Sequence, residues 1–415
     1  MVKLYPVLVA ALLASTAVFA APAVGAQQPA QPEQSTDPTK LKTHGPKISK
    51  EALKQISALQ TAVDGKDPAA IAAALATAQA AAKTPEDRYF IAILQLRAAA
   101  TAKDASGVAA GLEAVLASGA AAADEQFSIY YNLGNTYGGL KEYDRAAAGY
   151  QKASELDPTN LDALAELAEA RAAQGRAAGA LGAIQRGIKL QEANGQKALE
   201  SWYKRAAVIA YKAKLPEASE VTRQWLRAYP SPANWGAALG SYEQGATFDK
   251  QQKLDFLRLK GAMGLLSDAD YFDYAALALE RGLPGEAKAV LDKGLAAKTI
   301  ERSDKSISEL YDVVAEKTKG DKESLPASPA ALADAQRALI NGDAWYGYGE
   351  FAKAVEFDKA ALAKSGADAN LINLHLGMAL LQRGDKIGAR DAFSKVGGAL
   401  QELARYWLTY LSTKA

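Results

Sequence analysis

Residues 127–160 read FSIYYNLGNTYGGLKEYDRAAAGYQKASELDPTN. Tyr130, Leu133 and Tyr137 share one face of a first helix, with Gly134 among them to let a neighbour approach. Ala146, Tyr150 and Ala153 do the same for a second helix, which must stop at Asp157-Pro158 because the proline ring disfavours the helical conformation of the residue before it. The pattern returns in phase at 161–194 on Leu164, Leu167, Ala168, Gly175, Ala180, Ile184 and Gly187. It returns again from Leu199 on Trp202, Ala206, Ala218, Trp225 and Pro230. A single helix pair cannot bury its apolar face alone, so units of this kind stack.

Outward from this centre the pattern weakens. Ser49 and Asp67-Pro68 read as helix starts, with Ala52, Leu53, Ile56 and Leu59 and then Ile71, Leu75 and Ala78 turned inward, and Thr84-Pro85-Glu86-Asp87 reads as a third start. Region 49–126 is thus expected to hold degenerate repeats, 127–232 the clear ones and 233–320 irregular ones, with 234–266 either a decayed repeat or a specialised insertion. Gly320 to Pro329 carries turn residues, so 321–329 is expected to be the best internal boundary, a linker to a C-terminal segment at 330–415. There Ala338, Gly342, Trp345 and Ala354 mark one unit and Leu376, Gly377, Ala389 and Phe393 the next. The last helix puts Leu400, Leu403, Trp407 and Leu411 on one face and Gln401, Glu402 and Arg405 outward, as a closing cap.

The small and aromatic positions of 127–160, namely Tyr130, Leu133, Gly134, Tyr137, Ala146, Tyr150, Ala153 and Pro158, resemble a tetratricopeptide repeat (TPR), with tyrosine where that family often has tryptophan. The resemblance implies an all-α fold, a TPR-like α-solenoid in which antiparallel helix pairs wind into a right-handed superhelix. It also implies a non-catalytic scaffold that holds a partner segment in a concave groove lined by the first helix of each pair. Carried over to this chain, the groove residues are Tyr131, Asn135, Asp162, Glu166, Glu169, Tyr203 and Tyr211. TPR grooves that clamp a terminal carboxylate use lysine where this chain has Tyr131, and Glu166 and Glu169 would repel such a group. A basic or amide-rich extended peptide suits the surface better, bonded by Asn135 and packed on tyrosine rings. The competing reading of those tyrosines is packing between repeats.

Composition narrows the setting. Met1–Ala26 has one charge, Lys3, then the apolar run VLVAALLASTAVFA and small residues, the pattern of a cleaved secretory signal; 27–48 is rich in Pro, Gln, Ser and Thr and reads as a tether. The apolar run falls short of the roughly 20 residues a membrane span needs, and no later run approaches that length. Export to a bacterial periplasm is therefore the expectation, with secretion as its alternative. With no cysteine, neither disulfides nor thiol chemistry are available. Lys and Arg number 48 against 47 Asp and Glu, so nucleic acid is not an expected partner; another envelope protein or peptide is, with self-association as an alternative.

The residues suggest no reaction and no cofactor. Two histidines, His44 in the tether and His375 expected on a helix surface or groove, cannot build a triad or a histidine metal cluster. Gly65-Lys66 is followed by Asp67 rather than Ser or Thr, so it is no phosphate loop. Arg383-Gly384-Asp385 reads as a turn between helices. Glu166 and Glu169 could do acid–base work but read as an acidic edge. A glycan- or peptidoglycan-binding accessory role, with tyrosines stacked on sugars, is the alternative function.

Overall fold

The computed structural model describes residues 47–329 and 334–413. The leader at 1–26, nearly all of the tether and residues 330–333 lie outside them. The described residues are α-helical with no strand, arranged as helical hairpins, and none of their helices is long and apolar enough to cross a membrane. They form two compact units, one ending at Leu215 and the other beginning at Pro216.

The first unit holds α1 (Lys50–Gly65), α2 (Pro68–Ala81), α3 (Pro85–Ala102), α4 (Ala105–Ala117), α5 (Ala123–Gly139), α6 (Tyr143–Leu156), α7 (Leu161–Ala173), α8 (Ala177–Ala193) and α9 (Glu200–Lys212). The expected starts at Ser49, Asp67 and Thr84 are all N-caps: each side chain accepts from a backbone N–H in the first turn, and Thr84 forms a reciprocal capping box with Asp87. Leu53 departs from expectation and is half exposed, because Ala52, Ile56 and Leu59 suffice to fill the seam. In the 127–160 hairpin Leu133 and Tyr137 are buried, Tyr130 is only half-buried, and Ile129 is fully enclosed. The two helices meet backbone to backbone. A Cβ on Gly149 would stand 2.7 Å from Gly134 N and 2.8 Å from Tyr130 O, so only glycine permits the approach that brings Tyr150 over α5. Helix α7 then packs on α6 and on α8, and α8 on α9.

The second unit holds α10 (Ala218–Ala228), α11 (Pro232–Gly245), α12 (Lys250–Met263), α13 (Asp268–Glu280), α14 (Pro284–Ala296), α15 (Lys305–Lys317), the single turn α16 (Asp321–Ser324), α17 (Ala335–Gly347), α18 (Phe351–Leu362), α19 (Ala369–Gln382), α20 (Lys386–Ser394) and α21 (Gln401–Thr413). Two sequence expectations give way here. The stretch 321–329 is stitched into the unit: the Tyr348 hydroxyl donates to Asp321 at 2.7 Å, Trp345 Nε1–H to Pro326 O at 3.2 Å, and α14 packs directly on α17. Gly and Pro mark where a helix stops, not where contacts stop. The unit boundary falls instead at 215/216, inside the expected clear repeats, because α10 packs on the C-terminal helix α21.

That last helix does more than cap. Its four expected residues are buried, as are Tyr406 and Trp407 completely, but Glu402, expected outward, is turned to an ion pair with Arg223 of α10. Trp235 of α11 meets Tyr406 and Tyr410 at ring-centroid distances of 6.4 and 6.1 Å. The Tyr410 hydroxyl donates to Ala262 O at 3.0 Å. The end of the unit thus returns to its beginning. Helix α12, expected as part of a decayed repeat or a specialised insertion, is a core helix with Leu254, Phe256, Leu257 and Leu259 all fully buried.

Candidate functional site

Five of the seven sequence-derived groove residues stand on α5 and α7, the first helices of consecutive hairpins. Tyr131 is half-buried, stacked on Phe127 with ring centroids 5.9 Å apart and planes 14° apart, and meets Tyr150 edge-on at 5.7 Å. The Tyr150 hydroxyl donates to Asn135 Oδ1 at 2.8 Å, so the Asn135 carboxamide is held from behind while the residue stays exposed. Asp162, Glu166 and Glu169 line the same side of α7 and are exposed.

The electrostatics tie these groups together. Burial, then the carboxylates Glu166 and Asp162, push the Tyr131 hydroxyl up to about 12. Burial, then Glu166, pushes Tyr150 higher still. The Glu166 carboxyl is raised by enclosure in the protein and then by Glu169 and Asp162, with the Tyr150 hydroxyl opposing. Glu169 pairs with Arg205 of α9, but among the described residues no lysine or arginine pairs with Asp162 or Glu166.

The other two residues are placed differently. Tyr203 is buried at 4% exposure with its hydroxyl on Glu192 at 2.5 Å; it packs the α8–α9 seam and is not a groove residue. The same helical period carries both kinds of position, and the sequence does not say which tyrosine turns inward. Tyr211 is half-buried near the end of α9. Tyr150, read from the sequence as a packing residue only, is also a groove residue through its hydroxyl.

The repeat at the centre of this surface is also recognised by comparison: residues 127–160 match the family model described as Tetratricopeptide repeat. Residues 127–160 are a tetratricopeptide repeat. No curated protein matches it. Solved structures that resemble it include a TPR protein from Parabacteroides merdae (12% identical, covering 78% of this chain and 98% of that one, TM-score 0.29) and Pseudomonas aeruginosa pilF (15% identical, 70% and 98%, TM-score 0.21). A third is the TPR domain of P58(IPK), 12% identical over 78% of this chain and 97% of that one, with a TM-score of 0.22.

The second unit holds a cluster that sequence reading missed. Arg258 Nε and Nη2 donate to both oxygens of Glu286 at 2.8 and 2.7 Å, and Nη1 donates to Asp255 at 2.9 Å. His375, expected at a surface, is 3% exposed, with Nε2 at 3.0 Å from Asp255 Oδ1 and Nδ1 at 2.7 Å from Asp343 Oδ1. Burial works against both cations, yet Asp343 and Asp255 raise His375 to about 10, and Glu286 and Asp343 hold Arg258 well above its ordinary value. The Tyr274 hydroxyl completes Glu286 at 2.8 Å. Beside this cluster opens a cleft of about 490 Å³ walled by Tyr274, Tyr346, Tyr348 and Gln382. The signal was available: Asp255 and Arg258 interrupt the run Leu254–Leu259, and His375 sits between Leu374 and Leu376, polar groups inside apolar faces.

Proposed function

We propose that this protein is a non-catalytic scaffold, exported to the bacterial periplasm, that holds an extended, positively charged segment of a partner protein across α5 and α7. The observation that carries the reading is the pair of carboxylates Asp162 and Glu166, which no cation of the described residues neutralises, set against the Tyr131 ring and the tethered Asn135. A lysine or arginine side chain would discharge the carboxylates and lie against the ring, a contact worth about 0.5–2 kcal/mol. The tyrosine edge and Asn135 would meet the peptide backbone between such side chains. Export rests on the pattern of Met1–Ala26, and partner recruitment on the family's mode of binding.

The test uses the chain from Gln27 and three soluble peptides of equal length, lysine-rich, amide-rich and glutamate-rich, titrated calorimetrically. The lysine-rich peptide should bind in preference, and Glu166→Gln with Tyr131→Ala should weaken it at least tenfold with helicity unchanged. Equal binding of the glutamate-rich peptide, or an unaffected variant, removes the groove from the reading. Cell fractionation of the tagged full chain tests the compartment.

A further inference from the structure

Asp358 is the one carboxyl of the second unit's buried cluster that the ion pairs above do not use. It lies on α18, 2% exposed, beside Phe357 and Ala361, both fully buried. Its Oδ1 has no hydrogen-bond partner. Helix α17 comes so close that a Cβ on Gly342 would stand 2.5 Å from that oxygen. The small gap around it, lined by Asp343, Tyr346, His375, Met378 and Arg258, has no room for a water molecule.

Charge counting then constrains its state. The groups facing it are Asp343 and Tyr346 on α17, His375 on α19 and Arg258 on α12, with Asp255 of α12, Glu286 of α14 and Tyr274 of α13 behind them. Arg258 and His375 are the two cations, and both are committed to three carboxylates, Asp255, Glu286 and Asp343. The cluster is already one negative charge in excess. A fourth carboxylate would have neither cation nor water, a burial that proteins avoid by keeping the proton.

We propose that the second unit is a proton-linked latch: α18 seats between α17 and α19 only when the Asp358 carboxyl carries its proton, and losing that proton frees α18 from both. Burial and then Asp343 hold the Asp358 carboxyl well above its ordinary 3.8, in keeping with this. The unfolded or opened segment gives up the proton near that ordinary value while the closed one keeps it. Closure therefore weakens as pH rises, by up to tenfold in the opening equilibrium per pH unit.

The experiment is hydrogen exchange read by mass spectrometry on the full chain, corrected for intrinsic rates, from about pH 4.5 to 5.5. In that window, a unit or more below the ordinary histidine value, His375 is charged in both the open and the closed state and contributes little. Peptides covering 351–382 should lose protection by up to tenfold across one pH unit in the native chain, and Asp358→Asn should flatten that slope. Asp343→Asn, which removes the excess negative charge and lets Asp358 ionise closer to its ordinary value, should flatten it as well and serves if the first variant does not fold. Equal slopes in the native chain and in either folded variant would overturn the latch.

Discussion

The Tyr150 hydroxyl donates to Asn135 Oδ1 across 2.8 Å, joining a ring carried by the second helix of the hairpin and packed over the first to an exposed amide on that first helix. One bond thus serves both the repeat and its groove. Tyr150→Phe should cost about 0.5–1.5 kcal/mol, the usual net worth of a neutral hydrogen bond, and should leave the Asn135 side chain free to turn. Asn135→Ala should cost less than that, since its side chain is already in contact with water. A double-mutant cycle by urea denaturation measures the coupling; a coupling near zero would show that the bond does not hold the groove.

Gly187 of α8 lies under Trp202 of α9 so closely that a Cβ would stand 2.1 Å from the ring carbon Cζ3. The ring has to move, and the α8–α9 seam with it. Gly187→Ala should destabilise the first unit by about 1–3 kcal/mol despite the better helix propensity of alanine. Tryptophan fluorescence during denaturation reports it directly, and an unchanged or raised midpoint would contradict the packing.

Asp87 gives the first unit an acid dependence. Burial raises its carboxyl, but the N–H groups of Lys83 (2.9 Å), Ser49 (2.8 Å) and Thr84 (3.1 Å) and the Ser49 hydroxyl (2.8 Å) outweigh this and hold it at about 2. The folded value lies below the ordinary 3.8, so the stabilisation is complete above 3.8 and is lost as pH falls through 2. Amide protection in 48–66, corrected for intrinsic exchange rates, should therefore fall between about pH 4 and 2 in the native chain, while Asp87→Ala should show the lowered protection at every pH. A variant with the native pH profile would remove Asp87 from this role.

How much of this could be read beforehand follows from what each residue signals locally. Helix starts at Ser49, Asp67 and Thr84 were legible because caps act within four residues of themselves. The hairpin at 127–160 was legible because its small residues recur at helical spacing. Tyr203 was misassigned because position in a repeat does not distinguish a ring that fills the seam from one that lines the surface. The return of α21 to α10 was invisible, since Arg223 and Glu402 are 179 residues apart and nothing local joins them. The buried cluster was half legible: polar residues inside apolar runs announce burial, but their mutual pairing is a property of five helices together.

Arg258 is the residue whose loss that cluster tolerates least. It is 3% exposed and serves Glu286 through two bonds and Asp255 through a third. Arg258→Met keeps the apolar stem but strands those carboxylates beside Asp343, which should cost about 3–5 kcal/mol, most of it the penalty of unpaired buried charge. The missing charge also predicts a pH signature. Without Arg258, one of the charges that hold its carboxyl low, Asp255 should take up a proton more readily in the folded state, so the variant should regain stability relative to the native chain as pH falls from 7 toward 5. Urea denaturation at both pH values tests this: a loss equal at pH 7 and 5 would point to lost packing rather than lost charge, and a loss below about 1 kcal/mol would mean that the cluster relaxes to water when opened.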